Sequence, residues 1–195
     1  MNSRASVLAT TAAAILRLDD HFAELPLPFP FPFQGRLYSS VFVNSNGSLT
    51  FGNGDFDRWP TGALFLNGPP RIAPNWTNMS PRCGGTITVR QASGLWIVDY
   101  DNVPEIGSVN TSTFSVTLSD AGRIEFHYGA NAGVDGMPRL VGVTPGGGGA
   151  DPGEIDLSTA GALSAVGTTY EVFAGFEAFG GVEFDLDFRT LSFEP

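Results

Sequence analysis

The sequence predicts an all-β protein: an antiparallel β-sandwich or jelly-roll-like domain preceded by a short N-terminal helical arm. Three observations lead there. Glycine and proline number 25 and 14 of 195 residues, beside 16 phenylalanines and only 15% charged residues, a composition of short strands joined by tight loops. Two segments combine period-two alternation with the turn chemistry of β-hairpins. Eight or nine short apolar runs follow one another at the spacing of sandwich strands.

The arm is expected over residues 1–18, where Leu8, Ala12, Ile15 and Leu16 are spaced for one helical face. Its apolar part is interrupted by Arg17 and falls short of the roughly 20 residues a membrane-spanning helix needs. A secretory signal is the competing reading, and the Met1 that heads the sequence argues against a removed one. The β domain is expected over residues 19–195. Residues 25–33 alternate proline with Leu or Phe, which forbids helix and suits an edge strand, because proline cannot donate to a ladder. Residues 37–43 and 48–51 flank Asn46-Gly47, a hairpin signal whose turn calls for positive φ at both central residues. Residues 52–70 read as a loop-rich insertion, and residues 71–81 follow with no element assigned.

Residues 86–90 place Ile87 and Val89 on one face, and residues 95–100 are apolar on both, as in a strand covered on two sides. Residues 113–118 and 123–128 form the second hairpin, turning at Asp120-Ala121-Gly122. Residues 140–143 and 170–173 are short strands, residues 156–165 one helical turn or a loop, and residues 182–193 a last strand with Phe184, Leu186 and Phe188 on one side. Phe29, Phe31, Phe33, Val41, Val43, Phe114, Val116 and Phe126 are the expected core.

Charge narrows the partners. Twenty Asp and Glu stand against ten arginines and no lysine, a net charge of −10, with the arginines scattered singly. Nucleic acid and anionic membrane surfaces both want a basic face, so neither is expected. Cys83 is the single cysteine and can form no intrachain disulfide; a buried or loop thiol is expected, with an intermolecular link as its functional alternative.

Several blocks in order resemble a nidogen-like (NIDO) extracellular domain of the kind found in bacterial and phage surface proteins. They are Leu27-Pro-Phe-Pro-Phe-Pro-Phe33 with Gly35, Tyr38-Ser-Ser-Val-Phe-Val-Asn-Ser-Asn-Gly47 with Leu49, Phe51 and Gly52, and Arg71-Ile-Ala-Pro74 with Trp76. Gly84-Gly85-Thr86, Asp101-Asn-Val-Pro104, Thr113-Phe-Ser-Val116 and Gly122-Arg-Ile-Glu-Phe126 with Tyr128 and Gly129 continue the likeness, which covers about residues 19–145. The resemblance implies an extracellular β-rich module of adhesion and matrix proteins without a catalytic centre. Relatives carry Asp after the Trp-Thr step where this chain has Asn78.

Chemistry-bearing residues are sparse. With only His21 and His127, a zinc site or Ser-His-acid triad has few ways to form, and both read as ordinary boundary and strand residues. Asp99 and Asp101 share one strand face, and Asp185 and Asp187 another. Asp55 and Asp57, in a loop after Asn53-Gly54, are the weak metal candidates, with calcium the only cofactor they suggest; the spacing of a calcium loop is missing. The run at residues 146–149 lacks the helix and lysine of a phosphate loop. Asn46, Asn75, Asn78 and Asn110 each begin an Asn-x-Ser/Thr triplet.

These readings converge on a non-catalytic structural or adhesive subunit of an extracellular assembly, a virion or cell-surface appendage, contacting other protein subunits as a homo-oligomer or as part of a larger particle. The alternative is a carbohydrate-binding adhesin module, calcium-assisted, stacking sugars on Trp59, Trp76 or Tyr100. No enzyme is expected.

Overall fold

The computed structural model describes residues 14–107, 109–131, 137–173 and 184–195. Strands β1 (Ala14–Leu16), β6 (Thr86–Ala92), β7 (Leu95–Pro104), β8 (Thr111–Ser119), β9 (Ile124–Tyr128), β13 (Thr190–Glu194) and β11 (Leu163–Ser164) make a seven-stranded sheet in the order β1-β6-β7-β8-β9-β13-β11. Strands β12 (Thr169–Phe173), β10 (Arg139–Thr144), β5 (Arg71–Trp76), β4 (Ser48–Thr50), β3 (Arg36–Asn44) and β2 (Phe22–Phe33) make a six-stranded one, in that order. Pairing is antiparallel except for β11 on β13. One short helix, α1 (Gly62–Asn67), lies between β4 and β5 with Thr61 capping it: its Oγ1 accepts from Leu64 N–H.

Period-two alternation aims one face of each sheet at the other, so a single core fills the space between them. Phe31, Phe33, Val41, Val43, Leu49 and Ile72 from the six-stranded sheet meet Ile87, Trp96, Val98, Phe114, Val116, Phe126 and Phe193 from the seven-stranded one. The expected core is therefore present, with Phe29 only partly buried at its margin. A second cluster of Phe65, Ala73, Trp76, Leu140 and Tyr170 lies where α1 covers the six-stranded sheet. Strands β5 and β10 are consequently buried on both faces along their whole lengths.

That double burial explains a strand the sequence hid. β5 has no alternation to read, and Pro74 in its middle argues against a central strand. The structure accommodates the proline with a bulge: Gly142 of β10 pairs with Ala73 and Leu140 with Trp76, so Pro74 and Asn75 together oppose Val141. Tyr128 Oη donates to the Pro74 carbonyl across the interior at 2.6 Å.

Four other expectations are corrected. Of the helical arm over residues 1–18, residues 1–13 lie outside the described residues, and Ala14–Leu16 form β1, not helix, because the edge of β6 offers backbone partners that outweigh a weak local preference. The last strand is confined to Thr190–Glu194; residues 182–183 are outside the described residues, and Phe188, expected inward, is 79% exposed at φ +59° in a turn. Asp185 and Asp187 accordingly share no strand face. The hairpin at Asn46-Gly47 is present but uses a three-residue loop with positive φ at Gly47 and not at Asn46. By contrast, β2 is the edge strand its prolines demand, and the hairpin of β8 and β9 pairs Phe114 with Tyr128, Val116 with Phe126 and Leu118 with Ile124.

Gly47 combines φ +79° with a neighbour, the Asn75 carbonyl, that a Cβ would strike. Gly47→Ala is expected to lose at least about 2 kcal/mol of unfolding free energy in urea denaturation.

Candidate functional site

An open groove of about 460 Å³ lies on the outer face of the seven-stranded sheet. Antiparallel pairing aligns Thr88, Asp99, Ser115, His127 and Thr190 in one row across five strands, with Thr86 opposite Asp101 beside it. All but Thr190 line the groove, and Thr113 joins them. Asp99 is bridged by Arg90, whose Nε and Nη2 lie 2.7 and 3.2 Å from its two oxygens, an exposed pair that raises the Arg90 pKa. Asp101 accepts from Asn102 Nδ2.

The row Asp99, Ser115, His127 contains the residue types of a nucleophilic triad in the wrong order. The acid neighbours the serine, not the imidazole. His127 Nδ1 lies 3.1 Å from Thr190 Oγ1 and Nε2 lies 3.5 Å from Glu125 Oε2. Among the described residues neither nitrogen is hydrogen-bonded to Ser115. The chemistry offered is a strip of hydroxyls, carboxylates and an imidazole suited to hydrogen bonding.

Asp55 and Asp57 lie elsewhere, in the segment between β4 and α1. Asp55 Oδ2 pairs with the Arg71 guanidinium, and Asp55 Oδ1 accepts the Asp57 backbone N–H at 2.9 Å. Arg71 is almost fully buried and stacks over Trp76, 3.7 Å from the ring centroid. Trp76 Nε1 in turn donates to the Asp57 carbonyl at 2.8 Å. Burial pushes the Arg71 pKa down, Asp55 opposing; burial and the Asp55 charge push Asp57 up. A cation entering here would have to displace a guanidinium, and no group of three metal-ligating side chains occurs among the described residues.

The aromatic candidates divide. Trp76 and Tyr100 are core residues, so neither can stack on a sugar, whereas Trp59 is 48% exposed. Cys83 is an exposed free thiol. His21 stacks on Phe22, with ring centroids 5.8 Å apart. Asn46, Asn75 and Asn78 are buried and shielded from glycosylation.

Sequence reasoning missed the buried ion pairs, because an arginine in a short apolar run announces no partner. Arg139 Nη2 donates to both Glu105 oxygens at 2.9 and 3.1 Å, with both side chains almost completely enclosed. Ser112 Oγ also donates to Glu105, and Asn75 Nδ2 to Ser112 Oγ, so the network links the two sheets. Glu171 on β12 is a second hidden group. Burial, with the charges of Asp156, Asp185 and Glu154, holds its pKa up to about 7 although Leu157 N–H donates to it.

A family model described as NIDO related matches residues 4–173. The chain belongs to the NIDO-related family. No curated protein matches it, and no solved structure does. A NIDO-related domain is extracellular in kind. No described helix is long and apolar enough to cross a membrane. The stretch Ala14–Leu16, expected outside the β domain, is a strand of this NIDO-related chain and falls within the matched residues.

Two outcomes test these buried charges. Glu105→Gln should cost about 3 kcal/mol in urea denaturation by leaving Arg139 enclosed without its counter-charge, and Glu105→Leu with Arg139→Met should cost less than Glu105→Leu alone. Because the folded Glu171 keeps a proton that the unfolded chain releases, stability should fall as pH rises from about 4.5 to about 7 and stay lower above. Glu171→Gln should melt at a higher temperature than wild type at pH 8, with the gap closing below pH 4.5 in calorimetry.

Proposed function

We propose that this NIDO-related chain is a non-catalytic structural and adhesive module that docks on other protein subunits, copies of itself included, in an extracellular assembly at a virion or cell surface. One observation carries the reading. The segment between β4 and β5 exposes Phe56 at 57%, Trp59 at 48% and Leu64 at 41%, while its base is held by the Asp55–Arg71 pair and the Trp76–Asp57 hydrogen bond. Exposed aromatics on a braced loop are the anchors that protein interfaces favour, since little conformational entropy remains to be lost on docking. The proline-laden edge β2 disfavours strand addition along that edge and leaves association to loops and faces.

A saccharide-binding reading is supported by a different feature, the open groove with Thr88, Asp99, Asp101, Ser115 and His127 along it. Sedimentation and glycan binding separate the two. Under the first, the native protein sediments as an oligomer or with its partner subunits, and Phe56→Ser with Trp59→Ser reverts it to a folded monomer. A native chain that stays monomeric at all concentrations and holds no subunit in its assembly overturns it. Saturable glycan binding lost in Asp101→Asn would favour the second.

A further inference from the structure

We propose that Arg17 and Arg82 form a pocket for a doubly charged tetrahedral oxyanion, a phosphate group or the free sulfate ion, at the β1 edge of the seven-stranded sheet. This assignment does not depend on the function proposed above.

The pocket arises from topology. β1 pairs with β6 so that Leu16 lies opposite Ile87, which brings Arg17 alongside Thr86 and the loop between β5 and β6. That loop carries Arg82 directly after the buried Pro81. Leu16, Arg17, Pro81, Arg82, Gly85 and Thr86 line a concavity of about 250 Å³ that is open to solvent. Its volume suits one oxyanion with a small substituent and is too small for a nucleotide or an oligosaccharide. Gly85 contributes only backbone to its wall: φ is +67°, and a Cβ there would strike the Asn102 carbonyl.

The charge pattern identifies the ligand. In a chain with twice as many acidic as basic residues, most described arginines are taken. Arg58, Arg71, Arg90, Arg123 and Arg139 pair with carboxylates, and Arg189 donates to the Ser158 carbonyl. Arg17 and Arg82 have no such partner among the described residues, no carboxylate lines their pocket, and residues 1–13 contain no Asp or Glu. Two guanidinium groups left unpaired on one concavity repel each other, and a dianion removes that repulsion while accepting from both forks. Chloride and acetate carry half the charge. The bound anion also bridges the end of β1 to the β5–β6 loop, fastening the first described strand to the domain.

The experiment titrates the full chain at pH 8 and constant ionic strength with sodium sulfate, inorganic phosphate and a monosaccharide phosphate ester, with sodium acetate as the single-charge control. Calorimetry is read together with hydrogen exchange at Ile15 and Leu16. Saturable one-site binding of the dianions is expected, with slower exchange of the β1 amides. Arg17→Gln and Arg82→Gln should each weaken it about tenfold, and the pair should abolish it. Arg36→Gln, on the six-stranded sheet, should leave it unchanged. Tighter binding of the ester than of inorganic phosphate assigns the pocket to a phosphorylated saccharide, and equal binding to the free ion. Absence of saturable binding, acetate binding as well as sulfate, or Arg82→Gln behaving as wild type while folded overturns the assignment.

Discussion

The structure turns on a hairpin loop that is buried instead of exposed. Residues 44–50 are enclosed along their whole length, so each polar group there must find a partner inside the protein. Asn44 donates to Ser48 and Thr50 and accepts the Asp55 backbone N–H. Ser45 and His21 exchange hydrogen bonds, Asn46 donates to Asp20 and accepts from the backbone of Thr77 and Met79, and Gly47 accepts from Asn75. Tyr100 on the opposite sheet donates to the Asn44 carbonyl at 2.8 Å. The entry to β2, the Asp55 segment, the exit of β5 and the facing sheet therefore all take their positions from one turn. Gly47 is required because it alone in the loop has positive φ and lies against Asn75.

The bulge at Pro74 and Asn75 plays the matching part from the other strand. By opposing two residues to Val141, it frees the Pro74 carbonyl for Tyr128 and turns Asn75 toward Ser112, next to Glu105 and Arg139. The two sheets are thus joined by apolar packing through the middle and by polar contacts along one side. Apolar area supplies most of the stability, while the buried polar contacts select this packing because any shift would leave them unsatisfied.

The same geometry sorts the surface. Strand alternation that buries Tyr100, Phe114 and Tyr128 places Asp99, Asp101, Ser115 and His127 together outside, in residues far apart along the chain. The covered second face of the six-stranded sheet creates the braced segment that displays Phe56 and Trp59. The candidate acids Asp99 and Asp101 could be paired from the period-two rule. Asp55 could be noticed from its loop, but Arg71 as its partner could not, since it depends on β4 and β5 being neighbours.

Local chemistry alone determined the class of fold, both hairpins, the edge position of β2 and most of the core, because period-two patterning, glycine turns and proline's missing donor act over a few residues. Tertiary structure decided what local patterns cannot carry. β5 lost its alternation when α1 covered its second face, β1 became a strand because β6 had an open edge, and Phe188 faced water because the chain turned before β13. Charge followed the same division: the excess of acid is plain in the composition, whereas the pairing of each arginine, and the two left together at the β1 edge, came only from the approach of distant strands.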